Sequence, residues 1–427
     1  MKSRFLKEGA TLLSGNVWAQ GIAFAAYFVI VRLFSQEDIG LYNIFYSYIE
    51  VLIIVSTCRY ELATVLASDD REAMAVSRLA LRINTFVSFA LLGIALLFFT
   101  IDKTFTSHLS PLTLQLSLFI PPMVFFCGTS RVYTALFNRF RDFKQIALSE
   151  AIGATSGALG KILLGLPQLA ATVWHTIGLQ LATVIGKIVS NINYLIALRK
   201  LPLPKDITKS ERREAARKHR NFALYTMPKD LVNSLSYNLP FIWMALYFDK
   251  AEVGLFALAL TFTFRPANIL NNVFEKLLYV RVADNVRTCR PIARDIRRFM
   301  LYLNAIALPF FFVAFIFGDA IFGFLFGSRW SECGFYLRCL LPWVYIMLTS
   351  TSLTFISNVF SRQRTEFIFY IILFALRIVS MAIGIATSSF RTGILLFAIS
   401  GALVSTALLA WYIKQINDYE RSLEPIN

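Results

Sequence analysis

Apolar residues along this chain fall into runs as long as a bilayer crossing, with no sustained alternation of the kind a half-buried strand shows. The runs lie near residues 10–34, 40–66, 77–100, 111–137, 146–166 and 169–197, then 222–247, 252–280, 299–326, 333–360, 366–388 and 391–413. A helix needs about twenty apolar residues to cross the hydrocarbon layer, so each run predicts one membrane span. Between the sixth and seventh runs lies a polar stretch, residues 198–221, rich in Lys and Arg. The expected fold class is therefore an all-α polytopic membrane protein of about twelve transmembrane helices in two six-helix lobes. Its parts are an N-terminal lobe (1–197), a basic cytoplasmic linker (198–221) and a C-terminal lobe (222–427).

The two halves repeat. The segment FSQEDIGLYNIFYSYIEVLIIVSTCRYEL from Phe34 aligns without a gap with FDKAEVGLFALALTFTFRPANILNNVFEK from Phe248. Gly40 then meets Gly254, Ser47 meets Thr261 and Glu61 meets Glu275. FNRFR from Phe137 likewise resembles FSRQR from Phe360. Six spans per half is an even number, so both halves enter the membrane in the same sense. Parallel repeats of this kind are a transporter architecture, with the substrate path between the halves.

Charge supports the segmentation. Twenty-eight Lys and Arg fall in the N-terminal segment and the loops on its side, whereas Lys103, Lys250, Arg329 and Arg391 are the four on the opposite side. Such a bias places both termini in the cytoplasm. The chain carries a net charge of +16, with 57% hydrophobic and 16% charged residues. Ordinary soluble domains are about a quarter charged. Because the basic residues line short loops, their natural neighbours are anionic lipid headgroups; no nucleic-acid signature accompanies them. The first run is too long for a cleaved signal and is read as a span. The five Cys and three His lack metal-ligand spacing, so no metal is expected.

A helix facing only lipid is apolar all round, so a polar stripe marks a face that meets protein or water. Four stripes stand out. The second span carries Asn43, Ser47, Glu50, Thr57 and Glu61; the sixth carries Thr176, Gln180, Thr183, Lys187 and Asn191. Lys229, Asn233 and Ser236, with Asp230 alongside, mark the seventh, and Thr261, Arg265, Asn268, Asn272 and Glu275 the eighth. Uncharged members of such stripes commonly hydrogen-bond within a helix bundle. Charges at depth ask for more, since an unpaired one costs about 2.5 to 3.5 kcal/mol or above. Cations there suit an anionic, phosphate-bearing substrate, and Pro266 after Arg265 is expected to loosen the eighth helix. Arg59, Arg131, Glu150 and Lys276 lie nearer span ends, where they can snorkel. Arg377 is deeper and is expected to pair within the C-terminal lobe. Neither Gly160-Lys161 nor Gly186-Lys187 sits in a P-loop, and no HExxH, GxSxG or Rossmann fingerprint occurs; ATP-driven transport, enzymatic activity and a bound cofactor are not expected.

The stretches VRLFSQEDIGLYNIF, CRYELATVLASDDREA from Cys58 and FGSRWSECGFYLRCLLPW from Phe326 closely resemble the Wzx-type polysaccharide biosynthesis exporters of the multidrug/oligosaccharidyl-lipid/polysaccharide superfamily. The resemblance implies a flippase that moves an undecaprenyl-pyrophosphate-linked oligosaccharide between leaflets, for O-antigen, capsule or exopolysaccharide synthesis. It also implies a cavity lined by helices 1, 2, 7 and 8, and glycan polymerase and chain-length regulator proteins as partners beside membrane lipids. On this reading Arg265, Lys229, Lys187, Arg59, Asn268 and Asn272 face the pyrophosphate, and Glu50, Glu61, Asp230 and Glu275 are coupling-ion candidates. The alternatives are a multidrug cation antiporter of the same superfamily and, from a different class, a membrane glycan polymerase or ligase.

Overall fold

The computed structural model describes residues 21, 25–101, 117–169, 172–201, 203–204, 206–360 and 362–423. Most of the first expected span, residues 10–34, lies outside the described residues; residues 25–33 of it are helical. Two compact units emerge, Met1–Ser234 and Leu235–Asn427.

In the first unit, α1 (Gln36–Thr57) begins at a capping box in which the Ser35 hydroxyl accepts from the Asp38 amide and the Asp38 carboxylate accepts from the Ser35 amide. Two of the orphan donors of a helix start are thereby satisfied. The expected span 40–66 is not one helix. Cys58 and Arg59 adopt left-handed backbone (φ 48° and 60°), and a short α2 (Tyr60–Leu66) follows at a new angle. No Gly or Pro announces this break. The stripe counted from Asn43 to Glu61 at 100° per residue therefore ends at Thr57, and Glu61 belongs to a different helix.

The unit continues through α3 (Asp70–Ile101), α4 (Ile120–Arg139), α5 (Phe143–Leu164) and α6 (Gly178–Leu198). The linker contributes a further helix, α7 (Lys209–Lys218), started by a Thr208–Glu211 capping box. Burial of Ile207 and Ala215 against Ala75, Val76 and Ala80 seats it on α3. Helices α5 and α6 are in close backbone contact: a Cβ on Gly186 would lie 2.7 Å from the Gly153 carbonyl oxygen and 3.0 Å from the Gly157 Cα. Small residues four apart permit this approach. Membrane helices gain little from hydrophobic exclusion in lipid, so this packing is a main source of their association.

The boundary between the units falls within α8 (Met227–Trp243). The second unit contains α9 (Lys250–Arg287), α10 (Ala293–Phe326), α11 (Cys333–Thr351), α12 (Gln363–Ala386) and α13 (Phe390–Leu423). Helix α9 runs through Pro266 without interruption, so the expected loosening does not end the helix. Trp343, Phe256, Phe390 and Phe397 form an aromatic core. Gly401 lies against the Trp343 indole, and a Cβ built on it would stand 2.6 Å from the ring.

Seven helices among the described residues are long and apolar enough to span a membrane: α1, α3, α6, α10, a segment containing α11, α12 and α13. Large apolar side chains such as Phe86, Phe89, Phe312 and Phe324 point outward on them, the inverse of a soluble surface and the expectation for lipid contact. Helices α4, α5, α8 and α9 also lie on expected spans but carry more polar or glycine residues.

Two substitutions separate backbone packing from sequence composition. Gly186→Val should overpack the α5–α6 contact, costing about 1 to 3 kcal/mol, and appear as a lower melting temperature in detergent. Gly93→Ala, with nothing within 4 Å of the added carbon, should leave that temperature unchanged.

Candidate functional site

The left-handed pair Cys58–Arg59 turns the Arg59 side chain sideways out of the α1–α2 line. Its Nη1 lies 3.3 Å from Glu61 Oε1, and its Nε lies 2.8 Å from Asp230 Oδ2 on α8. The second contact is an ion pair whose angle misses hydrogen-bond geometry, so the Nε proton has no acceptor in line. Glu61 is nearly enclosed, with a 4% exposed side chain, while Arg59 and Asp230 retain 18% and 23%. Lys229 Nζ is 4.0 Å from Asp230 Oδ1 and more than half exposed.

Arg131 of α4 joins this group. It is close enough to Arg59 to repel it and to Glu61 to be attracted. Its enclosed Nη1 has no hydrogen-bond partner among the described residues, and the same holds for Glu61 Oε2, Thr57 Oγ1 and Asn233 Oδ1. Three cations thus face two carboxylates, a surplus of one positive charge, with donors and acceptors left over. An enclosed polar group without a partner costs roughly 1 to 3 kcal/mol, more when charged, so this group is held together at a cost to stability.

Other side chains hold the frame. Arg139 at the end of α4 donates to the Ala67 carbonyl at 2.7 Å and pairs with Asp70 at 3.0 Å, satisfying the open end of α2. Thr64 and Ser77 hydroxyls meet at 3.1 Å. On the linker, Arg71 pairs with Glu211 and donates to the Asp206 carbonyl at 3.0 Å. The Arg71 side chain first, then the Thr208 backbone and hydroxyl, hold the Glu211 carboxyl down at about 2. Lys218 and His219 both reach Glu72, at 2.8 and 2.6 Å.

The structure therefore brings Arg59, Glu61, Asp230 and Lys229 together and adds Arg131, for which the sequence suggested only an interfacial role. Lys187 is elsewhere in the unit, 3.2 Å from Glu150 Oε2, where Tyr194 donates to the other carboxylate oxygen at 3.4 Å. Its stripe neighbours are used in packing: Asn191 donates to the Phe126 carbonyl and Ser130 hydroxyl, and Thr183 lies 3.2 Å from the Tyr42 hydroxyl. Lys161, which by sequence shares a face with Glu150, instead donates to Tyr42 at 2.9 Å. Glu50 is exposed on α1. In the second unit Arg265 and Asn268 are exposed on α9; the Asn272 and Glu275 side chains lie outside the described residues.

Arg377 is fully buried in the second unit. Its Nη1 donates to Ser236 at 3.0 Å, and its guanidinium lies 4.2 to 4.7 Å from the ring centroids of Tyr237, Trp343 and Phe397. These contacts lie within the C-terminal half, as expected from the sequence, and Nε and Nη2 have no hydrogen-bond partner among the described residues. The cation is met by aromatic faces, whose quadrupoles attract a desolvated charge by about 2 kcal/mol or more. Among the described residues no group of three or more His, Cys, Asp or Glu could hold a metal ion.

Residues 29–334 match a family described as polysaccharide biosynthesis protein. The fold is similar to that of an inward-facing multidrug resistance MATE family transporter of the MOP superfamily, with a TM-score of 0.69 and 13% identity, covering 94% of this chain and 96% of that one. It is similar also to the lipid II flippase MurJ in an inward closed conformation, with a TM-score of 0.71 and 13% identity, covering 96% and 90%. An outward-facing multidrug resistance MATE family transporter aligns with a TM-score of 0.61 and 12% identity, covering 97% and 96%. No curated protein matches the sequence significantly.

The Arg59 cluster should behave as a unit. Arg59→Met removes the cation that contacts both carboxylates but leaves Arg131 and Lys229 facing them, and should destabilise the protein by about 1 to 3 kcal/mol. Arg59→Met combined with Glu61→Gln and Asp230→Asn leaves two cations with no carboxylate and should cost more than Arg59→Met alone, as read from thermal unfolding in detergent.

Proposed function

The chain belongs to the polysaccharide biosynthesis protein family, and on that footing we propose that it is a flippase for a lipid-linked oligosaccharide. The observation that carries the reading is the cation-rich cluster of Arg59, Arg131 and Lys229 around Glu61 and Asp230, with enclosed donors left over. Its cargo is an oligosaccharide on an undecaprenyl pyrophosphate, as in O-antigen, capsule or exopolysaccharide synthesis. The chain is divided into an N-terminal lobe (1–197), a basic linker (198–221) and a C-terminal lobe (222–427), and transport proceeds by alternating access.

Depth supports this choice. Arg59 follows the start of α1 by 23 residues, or about 35 Å of helical rise, enough to cross the hydrocarbon core. The basic-loop bias makes that end the cytoplasmic one, where a lipid-linked glycan presents its pyrophosphate at headgroup level. Arg59 and Arg131 offer planar N–H pairs to phosphate oxygens, and Lys229 adds an exposed point charge.

Coupling arises from the same residues. When Arg59, Arg131 and Lys229 turn to a phosphate, Glu61 and Asp230 lose their counter-charge, and a proton or cation taken up there compensates. Anion arrival and cation uptake are thereby favourable together, which is the thermodynamic content of coupling. Arg265, Asn268, Asn272 and Glu275 act as the corresponding groups of the second half, with Lys187 and Glu50 in supporting positions.

A multidrug cation exporter is the second reading, favoured by the likeness in fold to MATE transporters. The positive surplus of the cluster opposes it, since a cationic drug would be repelled.

The test uses the full chain in liposomes with a fluorescent polyprenyl-pyrophosphate saccharide as probe. Loss of one charge-assisted contact is worth about 1.5 to 3 kcal/mol, so Arg131→Gln should slow transfer about tenfold to a hundredfold. Arg265→Ala in cells should reduce surface glycan at normal protein level. Undiminished transfer in Arg59→Gln and Arg131→Gln protein, or faster movement of a lipophilic cation than of the glycan lipid, would overturn the proposal.

A further inference from the structure

Away from the cluster, three arginines converge where the linker helix meets α3. Arg78 and Arg82 are four residues apart on α3 and so share a face. Helix α7 packs along this stretch through Ile207 and Ala215. The Arg212 guanidinium donates Nη1 to the Ile207 carbonyl at 2.9 Å, which fixes it within electrostatic reach of Arg82 and Arg78. Glu211, the adjacent carboxylate, is committed to Arg71 and to its own cap at Thr208. Partial burial, then the charges of Arg82 and Arg78, hold the Arg212 guanidinium below its ordinary range. Packing and a capping box thus hold Arg212 in the field of two like charges on α3.

What lies beyond Arg82 on α3 indicates the ligand. Phe86, Phe89 and Leu96 follow it at four, seven and fourteen residues, within roughly 40° of one line along the helix. They are 76%, 66% and 49% exposed, on a helix long and apolar enough to span the membrane. Guanidiniums at the end of a lipid-facing aromatic stripe match a phosphate headgroup with an acyl chain beneath it, and basic residues near a bilayer surface are each worth about a fivefold preference for anionic lipid.

We propose that Arg78, Arg82 and Arg212 form a binding site for the phosphate of an anionic phospholipid whose acyl chain lies along Phe86 and Phe89. The site is independent of the cargo path. Because one of its ligands comes from the linker and two from α3, an occupying lipid ties α7 to the membrane-spanning part of the first unit. A free phosphate ion satisfies the same guanidiniums but makes no use of the aromatic stripe.

Full-length protein exchanged against vesicle lipids and analysed by native mass spectrometry tests this. Wild-type protein should retain phosphatidylglycerol through detergent washing that strips phosphatidylethanolamine of the same chains. Arg82→Gln with Arg212→Gln should lower that retention at least about tenfold, with Arg82→Lys and Arg212→Lys restoring most of it. Arg213→Gln with Arg217→Gln, two exposed positions on the same helix, should leave retention unchanged. Equal retention of the two lipids, equal loss in the Arg213 and Arg217 variant, or displacement of the lipid by 10 mM inorganic phosphate at about 150 mM ionic strength, where exposed charges are already screened, would overturn the proposal. Retention by the glutamine variant at the wild-type level would do the same.

Discussion

A bilayer supplies no counter-charge, so each ionised side chain inside it must be answered by the protein itself. Around that constraint the interior of this chain is organised, and it is met in three ways. Lys187 is answered by a carboxylate, Glu150, in a dense polar packing between helices. Arg377 is answered by aromatic faces and one hydroxyl. The Arg59 group is answered only in part, with more cations than carboxylates and enclosed atoms left without partners. The first two are closed arrangements, and the third is open. In the first two the charge is met inside its own unit, although Arg377 Nε and Nη2 also lack hydrogen-bond partners. An open one retains a free-energy gain for a ligand to collect.

The close packing of α5 on α6 bears on this difference. Glycines at 153, 157 and 186 bring the two backbones into contact, and this proximity is what places Glu150 within reach of Lys187. In the open group the same result is reached by the opposite device, a discontinuity. Two left-handed residues end α1 and redirect the chain, and the side chain at the bend reaches laterally to α8. Arg139 and the α3 start hold the redirected segment in place. A straight helix through residues 40–66 would point Arg59 and Glu61 in fixed directions 200° apart, since each residue turns about 100°.

Helix positions and the all-α membrane class were legible in the sequence because hydrophobic run length responds directly to bilayer thickness. The stripes were legible too, as faces that avoid lipid. Pairing was not. Asp230 is 171 positions from Arg59, and nothing local distinguishes it as the partner over Glu50, which had the better place on the stripe. The break at Cys58–Arg59 left no trace because neither residue type favours left-handed backbone; tertiary contacts impose it. Arg131 was undervalued because distance from the span end suggests snorkelling when only one helix is in view. Arg377 was expected to pair within the C-terminal lobe and does so, but that its neighbours are the rings of Tyr237, Trp343 and Phe397 on three other helices was not legible, because a cation–ring contact leaves no charge pattern in the sequence.

The linker helix carries a consequence for how the protein is made. Its partners (Tyr60, Arg71, Glu72 and the apolar patch near Ala75) all precede it in the chain. When α7 leaves the ribosome, everything it binds has already been synthesised, while most of the second unit is still untranslated. Domains generally fold in order of synthesis. The helix therefore works as a clasp that the growing chain fastens behind itself, sealing the first half before the second competes for the same membrane.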